Sequence, residues 1–244
     1  MTRLLRLAPS LLALVPLLAA AGPPFLTDDP DPVDYRHYEV IPFYALDRAA
    51  DGSTIQGPAM DFNYGLWPEV QFNVEGGFVH QLPAGGPSEF GLGDLRVAAK
   101  WRFVKETDDR PEFAIYPAVV FPTGSARRGL GNGQAYYQFP LWIGKSWGPW
   151  TTYGGAGYGL NHAPGAKDNF FGGWLLQRRL SDGLYLGGEI YSQGADTQGA
   201  AGSTALDAGG GYTLRPGMDL IFTAGHSIAG ASHALAYLGL YITW

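Results

Sequence analysis

The chain is 244 residues long, with 16 basic and 22 acidic side chains, 36 glycines, 14% aromatic residues and no cysteine. A net charge of −6 excludes the basic footprint of a nucleic-acid binder, and the missing cysteines exclude a disulfide framework and thiol chemistry. Glycine and aromatic usage this high, without low-complexity repeats, fits many close-packed strands with interfacial aromatics.

Arg3 and Arg6 precede the apolar run Leu11 to Leu18, and Ala19-Ala20-Ala21 supplies a small-residue cleavage site. This is the layout of an export signal over residues 1–21. The run is short for a spanning helix and Pro16 interrupts it. A mature chain from Gly22 carries 14 basic against 22 acidic residues. Its first stretch, residues 22–35, is proline-rich and acidic and reads as a periplasmic lead-in or a plug. Asp28, Asp29, Asp31 and Asp34 lack the glycine and terminal Glu of a calcium loop, so neither metal nor cofactor is expected.

Twelve strands follow, at about 36–47, 55–66, 69–80, 91–105, 112–122, 133–146, 150–161, 169–180, 184–193, 203–214, 218–228 and 233–244. The even-numbered connections are short and carry Pro, Gly or Asp: Trp67-Pro68, Glu106–Arg110, Trp147-Gly148-Pro149, Ser181-Asp182-Gly183 and Arg215-Pro216-Gly217. Most others are longer: Asp47–Thr54, Gln81–Phe90, Pro122–Asn132, Asn161–Asp168 and Ser192–Gly202. Short periplasmic turns alternating with long outer loops are a property of outer-membrane barrels. The expected fold is therefore an all-β, antiparallel, up-and-down transmembrane barrel over residues 36–244, with both termini periplasmic.

The closing strand sets the parity. Trp244, Ile242, Leu240, Leu238 and Ala236 share one apolar face, while Thr243, Tyr241, Gly239 and Tyr237 share a mixed one. A lipid-facing exterior and a polar lumen require this division. The same parity turns Glu39, Asp61, Asn63, Gln71, Asn73, Glu75, Asp94, Arg96, Lys100 and Arg102 inward, with Gln138, Gln177, Arg179, Glu189 and Asp207 further round. These are the candidate lumen-lining residues, either a charged pore wall or an internal ion-pair network that fills the barrel. Twelve strands fall between filled and open barrels. Inward glycines at 155, 157, 159, 209 and 211 favour open space.

Trp67, Phe103, Phe113, Trp147, Trp150, Tyr212 and Trp244 gather at the short-turn end as an aromatic girdle. Pro42, Pro58, Pro117 and Pro140 interrupt strands, as bulges or as a sideways opening between the fifth and sixth strands. No Gly-x-Ser-x-Gly elbow accompanies His37, His80, His162, His226 and His233, and no enzyme is expected. Arg127 and Arg128 could meet lipopolysaccharide phosphate from an outer loop.

Three motifs carry a family resemblance: Phe25-Leu-Thr-Asp-Asp-Pro30, Phe121-Pro-Thr-Gly124 with Ala126-Arg-Arg-Gly-Leu-Gly-Asn-Gly133, and Lys145-Ser-Trp-Gly-Pro-Trp-Thr-Thr-Tyr-Gly-Gly155. The chain resembles the MetA-pathway of phenol degradation family of Gram-negative outer-membrane transporters. The resemblance implies a channel for small hydrophobic or aromatic compounds, a terminal aromatic read by the barrel assembly machinery, and no established binding residues. The alternatives are a structural or adhesion barrel with a filled lumen, or a lipid-modifying enzyme.

Overall fold

The computed structural model describes residues 23–244; the expected export signal lies outside the described residues. Fourteen β-segments make one sheet. They are β1 (Tyr38–Ala49), β2 (Gly52–Trp67), β3 (Val70–Pro83), β4 (Glu89–Leu92), β5 (Leu95–Val104), β6 (Glu112–Ile115) and β7 (Ala118–Phe121). The rest are β8 (Tyr136–Trp147), β9 (Trp150–Asn161), β10 (Asn169–Ser181), β11 (Leu184–Gln193), β12 (Ser203–Arg215), β13 (Met218–Gly230) and β14 (His233–Thr243).

β4 and β5 both pair with β3 and form one wall strand, broken at Gly93-Asp94. β6 and β7 both pair with β8 and form another, broken at Tyr116-Pro117. The wall therefore has twelve strands. Every pairing between strands is antiparallel, and β1 pairs with β14 through Val40↔Ile242 and Phe43↔Gly239, which closes the barrel. Closure removes the two open edges that hydrocarbon would leave unsatisfied.

The polarity is inverted relative to a water-soluble core. Outward residues such as Phe170 (72% exposed), Leu92 (62%) and Phe139 (53%) are apolar, while Asn63, Gln71, Asn73, Lys100 and Glu189 are buried inside. A continuous exposed apolar belt of this kind requires lipid around it. Trp67, Phe103, Trp147, Tyr212 and Trp244 are exposed at the short-turn end. Trp244 stacks on Tyr38 at 5.8 Å, and Trp150 lies under the Arg178 guanidinium at 5.2 Å.

Three local expectations change. Residues 47–54 are not a long loop: Asp47↔Thr54, Arg48↔Ser53 and Ala49↔Gly52 continue the β1–β2 ladder, leaving Ala50-Asp51 as the turn. Polar side chains there mark emergence into water, but the backbone gains hydrogen bonds by staying paired. The inward glycines do not create open space. A Cβ at Gly159 would lie 2.1 Å from the Tyr136 hydroxyl, at Gly157 2.4 Å from Phe171, and at Gly211 2.4 Å from Tyr185. Aromatic rings from neighbouring strands cover the bare backbone.

The prolines leave the wall closed. Tyr116 N–H donates to the Pro140 carbonyl at 3.2 Å, and Ala99 N–H to the Pro117 carbonyl at 3.1 Å. The prolines' own carbonyls thus keep accepting ladder bonds at this break, and among the described residues the strands stay paired on both sides of it. Pro42 and Pro58 adjoin register shifts between Phe43 and Ala45 and between Gln56 and Ala59, as ladder bulges would have it.

Candidate functional site

The bore contains the chain's own N-terminal segment. Thr27, Asp28 and Pro30 are buried, as are Phe25 and Val33. Phe25 packs with Tyr153 and Leu175. Leu26 packs against a cluster of Ala98, Tyr116, Ala118, Trp142, Phe171 and Tyr191 on the inner wall.

Polar contacts hold the same segment along its length. Leu26 N–H donates to Glu189 Oε2 at 3.0 Å, and Thr27 N–H donates to Glu189 Oε1. A segment without secondary structure needs such acceptors, because its backbone donors are buried. Lys100 Nζ meets Asp28 at 2.9 Å, Asp29 at 3.4 Å and the Asp31 carbonyl at 3.2 Å. Val33 N–H donates to Gln71 Oε1 at 2.9 Å. Arg102 pairs with Asp31, with Glu69 at 2.7 Å and with Glu112 at 2.8 Å, at the short-turn rim.

Three wall glycines form the seat. A Cβ at Gly173 would lie 2.3 Å from Thr27 Oγ1, at Gly144 2.7 Å from Pro30 Cγ, and at Gly65 2.0 Å from the Asp34 carbonyl. Gly144→Leu is therefore expected to displace the segment and speed protease cleavage within residues 23–35 several-fold. Limited proteolysis in detergent, read by mass spectrometry, measures this; unchanged cleavage kinetics would contradict the seat.

Other inward side chains form a polar lattice on the wall. Asn63 and Asn73 donate to Asp61, Gln71 donates to Asn63 at 2.6 Å, and Gln56 donates to Glu75 at 3.1 Å. Arg96 spends its donors on amides, reaching Asn73 at 2.8 Å and Gln138 at 3.4 Å. Arg96 and Lys100 both lie over the Tyr116 ring, at 4.8 and 5.1 Å. The Tyr241 hydroxyl donates to Glu39. Glu189 and Asp207 face each other across β11 and β12.

Two cavities flank the segment. One of about 430 Å³ is bounded by Glu39, Asp61, Gln71, Arg96, Lys100 and Gln177, and by four tyrosines, Tyr116, Tyr153, Tyr185 and Tyr241. The other, of about 60 Å³, lies between Pro23–Leu26 and Phe43, Asp61, Glu75, Asp207 and Tyr237.

Some sequence candidates do other work. Asp94 lies at the break between β4 and β5, outside both cavities. It accepts N–H groups from Gly124 at 2.8 Å and Asn132 at 2.6 Å, fixing the long outer loop. Arg128 is engaged by Glu89 at 2.7 Å and the Phe90 carbonyl at 3.0 Å. Arg179 is exposed at the short-turn rim. Glu69 and Glu106 occupy short-turn connections. Partial desolvation pushes their carboxyls up, but the hydrogen bonds from Lys105 and Arg102, and from Lys145, outweigh it and hold both below the usual range.

His233 Nδ1 contacts Asp47 at 2.9 Å, while Ser227 Oγ accepts the His233 backbone N–H at 3.1 Å. That serine is bonded to the backbone and not to the imidazole, so the trio lacks the geometry of an activated nucleophile.

The inward aromatics escaped the sequence reading, which gave aromatic residues to the lipid face and girdle. Their parity was the available signal: Tyr237 and Tyr241 lie on the mixed face of the closing strand.

A profile of the family described as "Putative MetA-pathway of phenol degradation" matches residues 31–241. The fold is similar to that of an outer membrane channel from Pseudomonas putida F1, at 15% identity and a TM-score of 0.67, over 88% of this chain and 99% of that one. It is also similar to the NanC porin, at 8% identity and a TM-score of 0.57, over 84% of this chain and 98% of that one. At these identities the likeness is one of fold. No curated protein matches the sequence.

Proposed function

Because the chain belongs to the MetA-pathway of phenol degradation family, we propose that it is an outer-membrane channel for passive passage of small hydrophobic or aromatic compounds, occluded by its own N-terminal segment. The observation that carries this reading is the cavity of about 430 Å³ beside that segment, where four tyrosines stand among polar and charged side chains. Its size is that of a small-ligand site, and tyrosine rings offer aromatic faces with a polar edge. The segment is held by ion pairs and hydrogen bonds and by no covalent link, so it can leave. With the short turns and both termini on the periplasmic side, it would enter the bore from the periplasm.

Burial of Phe25, Thr27 and Asp28 in the bore favours a second reading, a filled structural barrel. Planar-bilayer recordings separate the two. The channel reading expects low or flickering conductance from the full chain and a several-fold larger, stable conductance after deletion of residues 23–33, with matching phenol flux into liposomes. A deletion variant that folds yet neither conducts nor passes phenol would favour the filled barrel.

A further inference from the structure

The smaller cavity has a charge imbalance that the described residues do not resolve. Asp61, Glu75 and Asp207 border it. Asp207 is 6% exposed and neither carboxylate oxygen meets a donor among the described residues; Glu75 is equally buried and its Oε2 has none. The cations nearby offset only part of this charge. Lys100 serves Asp28 and Asp29, Arg102 serves Asp31, Glu69 and Glu112, and Arg96, bonded to two neutral amides, keeps its charge opposite Glu75 across β3 and β5, one cation against three carboxylates. Carboxylates buried without a cation are strongly disfavoured.

We infer that this cavity is an ammonium-binding site, with Asp61, Glu75 and Asp207 receiving the charged group. Its chemistry suits an ammonium better than a metal ion. The lining also includes Gln56 and Thr223, apolar residues such as Phe25, Leu26 and Leu235, and the stacked pair Phe43–Tyr237, with ring centroids 5.2 Å apart. An –NH₃⁺ group has three donors for several acceptors, and aromatic faces favour its charge. About 60 Å³ suits such a headgroup.

Two sources offer this group. An amine solute with a small apolar body would lay that body against Phe43 and Tyr237. Alternatively, export-signal removal after Ala21 creates an α-ammonium on residue 22. Pro23, the next residue, borders both cavities, as does Asp61, and consecutive Cα atoms are only about 3.8 Å apart. The site is a property of the folded barrel and does not require that the barrel conduct.

The test uses the mature protein in detergent and two readouts independent of flux. Calorimetry with benzylammonium chloride, against benzyl alcohol as the neutral control, reads the solute source. Acetylation of the native protein with a small acylating reagent, followed by mass spectrometry of the N-terminal peptide, reads the α-amine. If a solute is the source, benzylammonium binds, benzyl alcohol does not, and Glu75→Gln with Asp207→Asn weakens binding at least about tenfold. If the chain's own terminus is the source, the solute does not bind. The α-amine then reacts at least about tenfold more slowly than in urea-unfolded protein, and the double variant abolishes that protection. No benzylammonium binding together with a freely reactive α-amine in the wild-type protein overturns the inference, whatever the variants do.

Discussion

Lys100→Met will free the N-terminal segment and weaken the folded barrel. Lys100 is almost fully buried and touches the segment three times, through Asp28, Asp29 and the Asp31 carbonyl. A buried ion pair adds little over a well-packed apolar replacement of both partners, but removal of one partner strands the other. Here it strands Asp28, with a cost of about 3–5 kcal/mol. The system has two ways to avoid that cost: the segment withdraws into water, or the barrel unfolds more easily. Limited proteolysis within residues 23–35 reads the first, and the urea midpoint of the folded barrel reads the second. Lys100→Met combined with Asp28→Asn removes the stranded charge and should recover part of the loss, as a double-mutant cycle would register. Unchanged proteolysis and an unchanged midpoint in Lys100→Met would mean that Lys100 does not hold the segment.

Trp142→Ala will produce the largest loss of wall stability. Trp142 is 2% exposed, on the inner face of β8, among Tyr116, Phe171 and Tyr191. Its ring lies over Gly155, where an added Cβ would come within 2.8 Å of it. Large-to-small changes at such sites cost about 3–5 kcal/mol, because the lost contacts and the cavity add. Trp142→Phe should cost far less. Its Nε1 is buried without a hydrogen-bond partner, so a ring without that donor leaves nothing newly unpaired. The temperature at which the folded form stops migrating compactly on a gel orders the three proteins. If Trp142→Ala matches wild type, the inner aromatic cluster does not support the wall.

Much of the barrel was legible in the residues. β9, β11 and β14 have the expected boundaries within a residue, because period-two alternation and turn residues agree there. The break at Tyr116-Pro117 was less legible, since the strand keeps one parity across it, whereas at Gly93-Asp94 the outward residues shift from Phe90 and Leu92 to Leu95 and Trp101. Residues 47–54 misled because polarity reports contact with water and not the end of pairing. The glycines misled because a missing side chain says nothing about which neighbour fills its place.

The candidate site divides along the same line. By itself the sequence determined that the strands alternate between a lipid face and a bore face, since an alternating strand with one lipid face leaves its other face no choice. It could not determine the path of residues 23–37. That stretch has no periodicity, and its partners are remote along the chain: Lys100 lies 72 residues from Asp28, and Glu189 lies 162 from Thr27. Only the closed barrel brings those groups to one point. Which carboxylates find a cation is a property of three-dimensional neighbours that no local pattern encodes.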